Sequence, residues 1–169
     1  MFTATITQLG TFALGYDATP PQISILEPVN GSIITNTLPL ISALVVDTGV
    51  GIDPGTVEMR LDGQVVTATY ITGTGTLSYV PSSPLSVGRH TAQVSARDVL
   101  GNMASASVQT IVTFPEDVVP DCRVDAADLQ ALTDRWRQPA GSPYDLDGDG
   151  QVTVADIMRV AAAWGRTCP

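Results

Sequence analysis

Between residues 22 and 114 the chain repeats one pattern. Short runs in which apolar and β-branched residues alternate with polar ones are interrupted by Pro, Gly, Asn or Asp. A period of two is what a strand with one buried face requires, and breakers at this spacing predict a β-sandwich. The runs are Gln22 to Leu26, Leu40 to Asp47, Val57 to Leu61, Val65 to Ile71, Leu77 to Val80, His90 to Arg97 and Ala104 to Phe114. Asp62-Gly63 sits between two of them as the dipeptide of a type I′ hairpin, whose two central residues both need positive φ. Asn30-Gly31 and Gly101-Asn102 mark further turns.

Beyond Phe114-Pro115 the composition shifts to Asp, Ala and Arg, and the period changes with it. Leu129, Leu132 and Trp136, then Ile157, Val160 and Trp164, fall at i, i+3 and i+7, which predicts two short helices with these residues on their buried faces. Pro139 is expected to stop the first and Gly165 to cap the second. The boundary therefore divides a sandwich over 18–115 from a smaller unit over 116–169. Ahead of both, Phe2, Ala4 and Ile6, then Phe12, Leu14 and Tyr16, alternate around Leu9-Gly10. Residues 1–17 thus read as a strand hairpin, either the remnant of a preceding domain or strands donated to a neighbour. An isolated hairpin is marginal in water, so it must pack, and packing on its own chain is the preferred reading.

Composition narrows the function. The 169 residues are 44% apolar, enough for one or two small cores. Acidic residues number 17 against 8 basic ones, all arginine, for a net charge of −9, and such a surface is a poor partner for nucleic acid. One histidine and two cysteines leave little for nucleophilic or acid–base catalysis, so no enzyme is expected. His90 reads as an ordinary sheet residue. No apolar stretch approaches a membrane span, and MFTATITQLG has neither a basic start nor an unbroken apolar run, so any export signal is expected to lie outside this sequence.

The chemistry is concentrated in residues 145 to 156, Asp-Leu-Asp-Gly-Asp-Gly-Gln-Val-Thr-Val-Ala-Asp. Oxygen ligands fall at positions 1, 3, 5, 9 and 12 with Gly150 at position 6, the spacing of an EF-hand calcium loop ending in Asp. A hard divalent cation takes six to eight oxygens, and alternate residues of a tight loop turn theirs inward. Asp145, Asp147 and Asp149 would supply three, the Gln151 carbonyl a fourth, and Asp156 would close the shell from a helix start. Thr153 would act through a water, and Val152 would pack against a partner loop. The alternative is a solvated Asp-Gly turn, but four carboxylates in twelve residues repel one another without a cation. A shift of 28 residues superimposes a second copy: Asp117 on Asp145, Asp121 on Asp149, Val124 on Val152, Asp128 on Asp156, Leu132 on Val160 and Trp136 on Trp164.

Two resemblances follow from these residues. The stretches Ala18-Thr19-Pro20-Pro21, Gly51-Ile52-Asp53-Pro54, Arg60-Leu61-Asp62-Gly63, Gly88-Arg89-His90 and Asp98-Val99-Leu100-Gly101-Asn102 resemble, in that order, the bacterial immunoglobulin-like modules strung along exported proteins. Two calcium loops, each followed by one helix and preceded by none, resemble the duplicated dockerin module of cellulosome-type assemblies from about Asp117 to Cys168. The implied fold is mainly β: an immunoglobulin-like β-sandwich followed by a small all-α dockerin-like domain with two calcium loops. Calcium is the implied cofactor. The first copy departs from the family at Val119 in position 3 and Cys122 in position 6. Its candidate ligands are Asp117, Asp121, the Arg123 carbonyl, Asp125 and Asp128, expected to bind more weakly than the second loop, with an empty loop as the alternative.

A pseudo-twofold packing of the repeats would bring Cys122 and Cys168 together, giving a disulfide and an oxidising, extracellular or cell-surface setting. Two buried thiols or a shared metal stay open as alternatives, zinc being disfavoured by the lack of nearby His or further Cys. In dockerins the residues just before position 12 help set partner choice, which implies Ala126, Ala127, Val154 and Ala155 here. The expected function is calcium-dependent, non-catalytic docking of a larger exported protein to a cohesin-like domain. The alternative is a structural subunit of a surface layer or fibre, assembled with neighbouring copies by strand donation, with the dockerin-like part as a calcium-stabilised clasp. A carbohydrate-binding sandwich ranks last, because Trp136 and Trp164 are assigned to the small core. The resemblance to tandem exported modules, some of which hold an interdomain calcium, makes Asp17, Asp47, Asp53 and Asp98 candidate oxygens for one, though nothing in their spacing demands it.

Overall fold

A computed structural model describes residues 16–141 and 143–169, so the hairpin expected over 1–17 lies almost entirely outside the described residues. The alternating runs form nine strands: β1 (Gln22–Glu27), β2 (Ile33–Ile34), β3 (Ile41–Val46), β4 (Glu58–Leu61), β5 (Gln64–Val66), β6 (Thr69–Ile71), β7 (Thr76–Tyr79), β8 (Gly88–Arg97) and β9 (Met103–Val112). One sheet has the order β1-β3-β7-β6 and the other β2-β9-β8-β4-β5. All pairings are antiparallel except β2 with β9. The two sheets face each other across a core in which Ile41, Ala43, Val45 and Leu77 meet Met59, Ala92, Val94 and Ala96.

The alternation has its clearest effect in β8. His90, Ala92, Val94 and Ala96 point inward and are buried while Arg89, Gln93 and Arg97 stay in solvent, as a period of two on a half-buried sheet dictates. The β4–β5 turn is also as the dipeptide requires, with φ of 51° at Asp62 and 81° at Gly63. The structure departs from the sequence pattern at two places. The run Val65 to Ile71 is two strands in different sheets, β5 on β4 and β6 on β7, with the chain crossing at Thr67-Ala68. No breaker marks this crossing, because small and β-branched residues continue through it. The strand β2 is an addition of two residues whose register is set by β9 and not by any local period.

After β9 come two helices, α1 (Ala126–Thr133) and α2 (Val154–Ala162), around a second core of Val118, Val124, Leu132, Val152, Val160 and Ala163. Leu132 and Val160 are fully buried at the predicted positions, with Leu129 and Ile157 packed beside them. Trp136 and Trp164 are not in this core: both lie past their helix ends and are 42% and 54% exposed. The helices are shorter than the apolar period, which continues into irregular chain. Pro139 likewise does not stop α1, which ends five residues earlier at its C-cap Asp134. Phe114, two residues past β9, packs into this second core beneath the Arg166 guanidinium, 5.3 Å from its ring centre. Arg166 also lies 3.9 Å from Glu116.

His90 has an acceptor at each ring nitrogen. Its Nδ1 is 2.6 Å from Asp62 Oδ2 and its Nε2 is 2.8 Å from the Ser86 carbonyl, an arrangement that favours the doubly protonated ring. Burial pulls its pKa down, but the Asp62 and Ser86 hydrogen bonds and the Asp62 charge hold it above the ordinary 6.5. Because the folded value is raised, this stabilisation is complete below the unfolded value and disappears as pH rises through the folded one. Urea unfolding between pH 6 and 9 should therefore show stability falling by about 1 kcal/mol, discounted for the exposure of Asp62. His90→Gln should flatten that slope; an unchanged slope in the variant would contradict the assignment, since the chain has no other histidine.

Candidate metal centre

Residues 145–156 form a loop shaped by carboxylates that gather backbone N–H groups. Asp145 Oδ1 accepts from Gly148 (2.7 Å) and Asp149 (3.1 Å), and its Oδ2 from Gly150 (2.9 Å). From the far end, Asp156 Oδ1 accepts from Leu146 (2.7 Å) and Asp147 (3.3 Å) while Oδ2 accepts from Thr153 (2.7 Å). Gly148 and Gly150 adopt φ of 83° and 87°, which lets the chain turn this tightly. The result is that Asp145, Asp147 and Asp156 each place a carboxylate oxygen within 4.8 Å of the other two. Burial would raise the pKa of Asp156, but the N–H groups of Thr153, Leu146 and Asp147 outweigh it and hold the group below 3.8, so it is ionised at neutral pH.

The other predicted ligands have local roles. Asp149 Oδ1 accepts from Gln151 N at 2.8 Å, and Gln151 bridges to Pro139. Thr153 caps α2 and forms a capping box with Asp156, so the residue that closes the loop also starts the helix. A hard cation fits this donor set, which is all oxygen and gathers three carboxylates at one point.

The first loop repeats the backbone with fewer ligands. Asp117 is buried; its Oδ1 accepts from Asp121 N (3.2 Å), and its Oδ2 accepts from Cys122 N (2.8 Å) and the Thr113 hydroxyl (2.5 Å). Burial pushes its pKa up by more than these hydrogen bonds lower it. Asp121 accepts from Arg123 N, and Asp128, also buried, accepts from Val119 N and Asp125 N. Asp125 is the N-cap of α1 and accepts from Ala127 N. The Arg123 backbone bridges to Thr167. Among the described residues, no three of Asp117, Asp121, Asp125 and Asp128 converge as the second loop's acids do. Val119 stands where the repeat has Asp147, which removes the carboxylate that would join them. The Thr113 contact was invisible in the sequence, because the matching position of the second copy is Gly141.

The repeats pair through their loops. Val124 N donates to the Arg166 carbonyl (3.0 Å) and the Val124 carbonyl accepts from Gly165 N (2.9 Å). Val152 N donates to the Gln138 carbonyl (3.1 Å) and the Val152 carbonyl accepts from Arg137 N (2.9 Å). The same offset of 28 relates each partner to its counterpart, so each position-8 valine binds the segment that follows the other copy's helix. Arg137 accordingly adopts the left-handed conformation of Gly165, at φ 58° against 79°. Cys122 likewise takes the place of Gly150 at φ 69° and is disulfide-bonded to Cys168, with Cα atoms 5.1 Å apart. A formed disulfide indicates a non-reducing environment. Ala126, Ala127 and Val154 are exposed at the starts of the helices, and Ala155 is half-buried. Met158 is exposed as well, and so are Trp136 and Trp164, the two residues that the apolar period assigns to the core.

No family model and no curated protein matches the chain. Solved structures give partial similarity. The endo-beta-1,4-mannanase from Thermotoga petrophila has a TM-score of 0.46 at 16% identity over 58% of this chain and 21% of its own. PorU from Porphyromonas gingivalis, in a dimeric latent form, has 0.44 at 25% over 58% of this chain and 11% of its own. CopC from Methylosinus trichosporium OB3b has 0.42 at 14% over 54% of this chain and 93% of its own. The chain thus spans about a fifth of the mannanase and a tenth of PorU. No helix among the described residues is long and apolar enough to cross a membrane.

The disulfide closes the ends of a small core across 46 residues. In the chain-entropy model, removing such a link costs about 4 kcal/mol. Cys122→Ala with Cys168→Ala should therefore lower the denaturant midpoint of residues 116–169 markedly, and the loss is read by Trp136 and Trp164 fluorescence. Equal midpoints for the variant and the parent would show that the link contributes nothing.

Proposed function

We propose that residues 116–169 are a dockerin-like, calcium-dependent docking unit carried on an immunoglobulin-like sandwich, acting without catalysis outside the cell or at its surface. The observation that carries this reading is the convergence of Asp145, Asp147 and Asp156 at the foot of α2. A cation there, completed by Asp149 and the Gln151 carbonyl, neutralises the clustered charge and fixes the start of α2. The helix in turn presents Val154 and Met158, which are 59% and 65% exposed, together with the small residues Ala126 and Ala127 of α1. Exposed apolar residues beside a polar rim suit a protein partner, and the resemblance to dockerins makes a cohesin-like domain the candidate. The disulfide supports an exported setting.

Binding to an immobilised panel of cohesin domains, measured in calcium and in excess chelator, tests the proposal. The expected result is binding to at least one domain that is abolished by chelator and weakened tenfold or more by either Asp147→Asn or Met158→Glu. Binding that survives chelator and both substitutions would overturn it, as would calcium uptake by the chain with no binding to any domain.

A further inference from the structure

The two ends of α2 are held by different devices. At its start, Asp156 closes the capping box and gathers the N–H groups of Leu146, Asp147 and Thr153. Past its end, residues 165–168 lie antiparallel to residues 122–124 of the first loop. Gly165 N donates to the Val124 carbonyl (2.9 Å), Val124 N to the Arg166 carbonyl (3.0 Å) and Cys168 N to the Cys122 carbonyl (3.1 Å). The Cys122–Cys168 disulfide closes this pairing covalently.

The second loop makes the same pairing without a covalent link. Arg137 N donates to the Val152 carbonyl (2.9 Å), Val152 N to the Gln138 carbonyl (3.1 Å) and Ala140 N to the Gly150 carbonyl (3.0 Å). By the offset of 28, Cys122 stands for Gly150 and Cys168 for Ala140. The chain after Ala140 runs on into the loop at Asp145, whereas the segment after α2 is anchored by the disulfide. Cys168 Sγ also lies 3.5 Å from Thr113 Oγ1, which donates to Asp117, so the link is seated against the end of the sandwich. With nine residues, α2 is too short to hold its form alone in water. Its order comes from its anchored ends and from burying Val160 and Ala163 against Val118, Val124, Leu132 and Val152. The carboxylate of Asp156 is therefore placed by a helix whose far end the disulfide holds.

We propose that closing the Cys122–Cys168 disulfide raises the calcium affinity of the second loop, which makes the metal centre sensitive to thiols. This rests on the reading of residues 145–156 as a calcium loop. With the link open, α2 frays in part of the population, and the apparent affinity falls with the fraction that keeps the loop formed. In the closing step the two protein thiols exchange with a disulfide donor. The Cys122–Cys168 bond forms, the donor's S–S bond breaks, and the donor leaves as two thiols. The reduced chain thus holds calcium weakly, and the exposed face of the helices is fixed only after oxidation. The coupling is reciprocal, so bound calcium makes the disulfide harder to reduce by the same factor.

Calcium chloride titrated by calorimetry into the full, chelator-treated chain, oxidised and then reduced, tests the proposal. A double variant, Cys122→Gly with Cys168→Ala, stands beside the parent. It puts the glycine of the second copy at the left-handed position, where φ is 69°, so only the covalent link is lost. The reduced parent and the double variant should each bind calcium about tenfold or more weaker than the oxidised parent. Independently, the parent is equilibrated with reduced and oxidised dithiothreitol, in calcium and in chelator, and its free thiols are counted by alkylation. Calcium should shift this equilibrium toward the disulfide by a matching factor, and Asp147→Asn should abolish the shift. Equal calcium affinity in all three forms, or a redox equilibrium indifferent to calcium, overturns the proposal and leaves the calcium loop standing. An oxidised parent that takes up no more calcium than Asp147→Asn overturns both. Should the reduced forms fail to fold, the redox equilibrium of the parent alone decides.

Discussion

A carboxylate that collects several backbone N–H groups bends the chain around itself, and both small loops are built this way. Asp145 and Asp156 approach from opposite ends of twelve residues and between them satisfy six N–H groups. The consequence is a concentration of negative charge that the chain cannot neutralise itself, since it has no lysine and only eight arginines against 17 acids. Of the four ion pairs among the described residues, one touches a candidate loop acid, Arg123 with Asp125 at 4.0 Å, and both partners are well exposed. The loop geometry thus gathers oxygens that could hold a cation, and under the proposed function that cation would fix the start of α2 and, through it, the exposed face beside Val152 and Val160.

The two copies meet this constraint differently. The second keeps three converging carboxylates. The first replaces one with Val119, places Cys122 at the position of a left-handed glycine, and closes the turn covalently to Cys168. It also draws the Thr113 hydroxyl of the sandwich onto Asp117, so the stretch that joins the sheets to the helices is fastened by a buried hydrogen bond, by Phe114 in the second core and by the Arg166 stack.

What the sequence revealed depended on how local each determinant is. Period two placed β3, β8 and β9 to within two residues, and Asp62-Gly63 fixed a turn, because pleat and φ are properties of neighbouring residues. The repeat offset of 28 was equally readable, and it predicted the buried Val124 and Val152. The two tryptophans were misplaced because the apolar period outlasts the helices, whose ends are set by the Arg137 and Gly165 pairing across the repeats. The crossing at Thr67-Ala68 had no local mark, since it arises only when distant strands are brought into register.

The central claim concerns one loop, and a crystal structure grown in millimolar calcium chloride tests it most directly. The account predicts an ion whose ligands, at about 2.3 to 2.6 Å, include Asp145, Asp147, Asp149, the Gln151 carbonyl and Asp156. Ordered water alone among those oxygens, with the acids held apart, would contradict it.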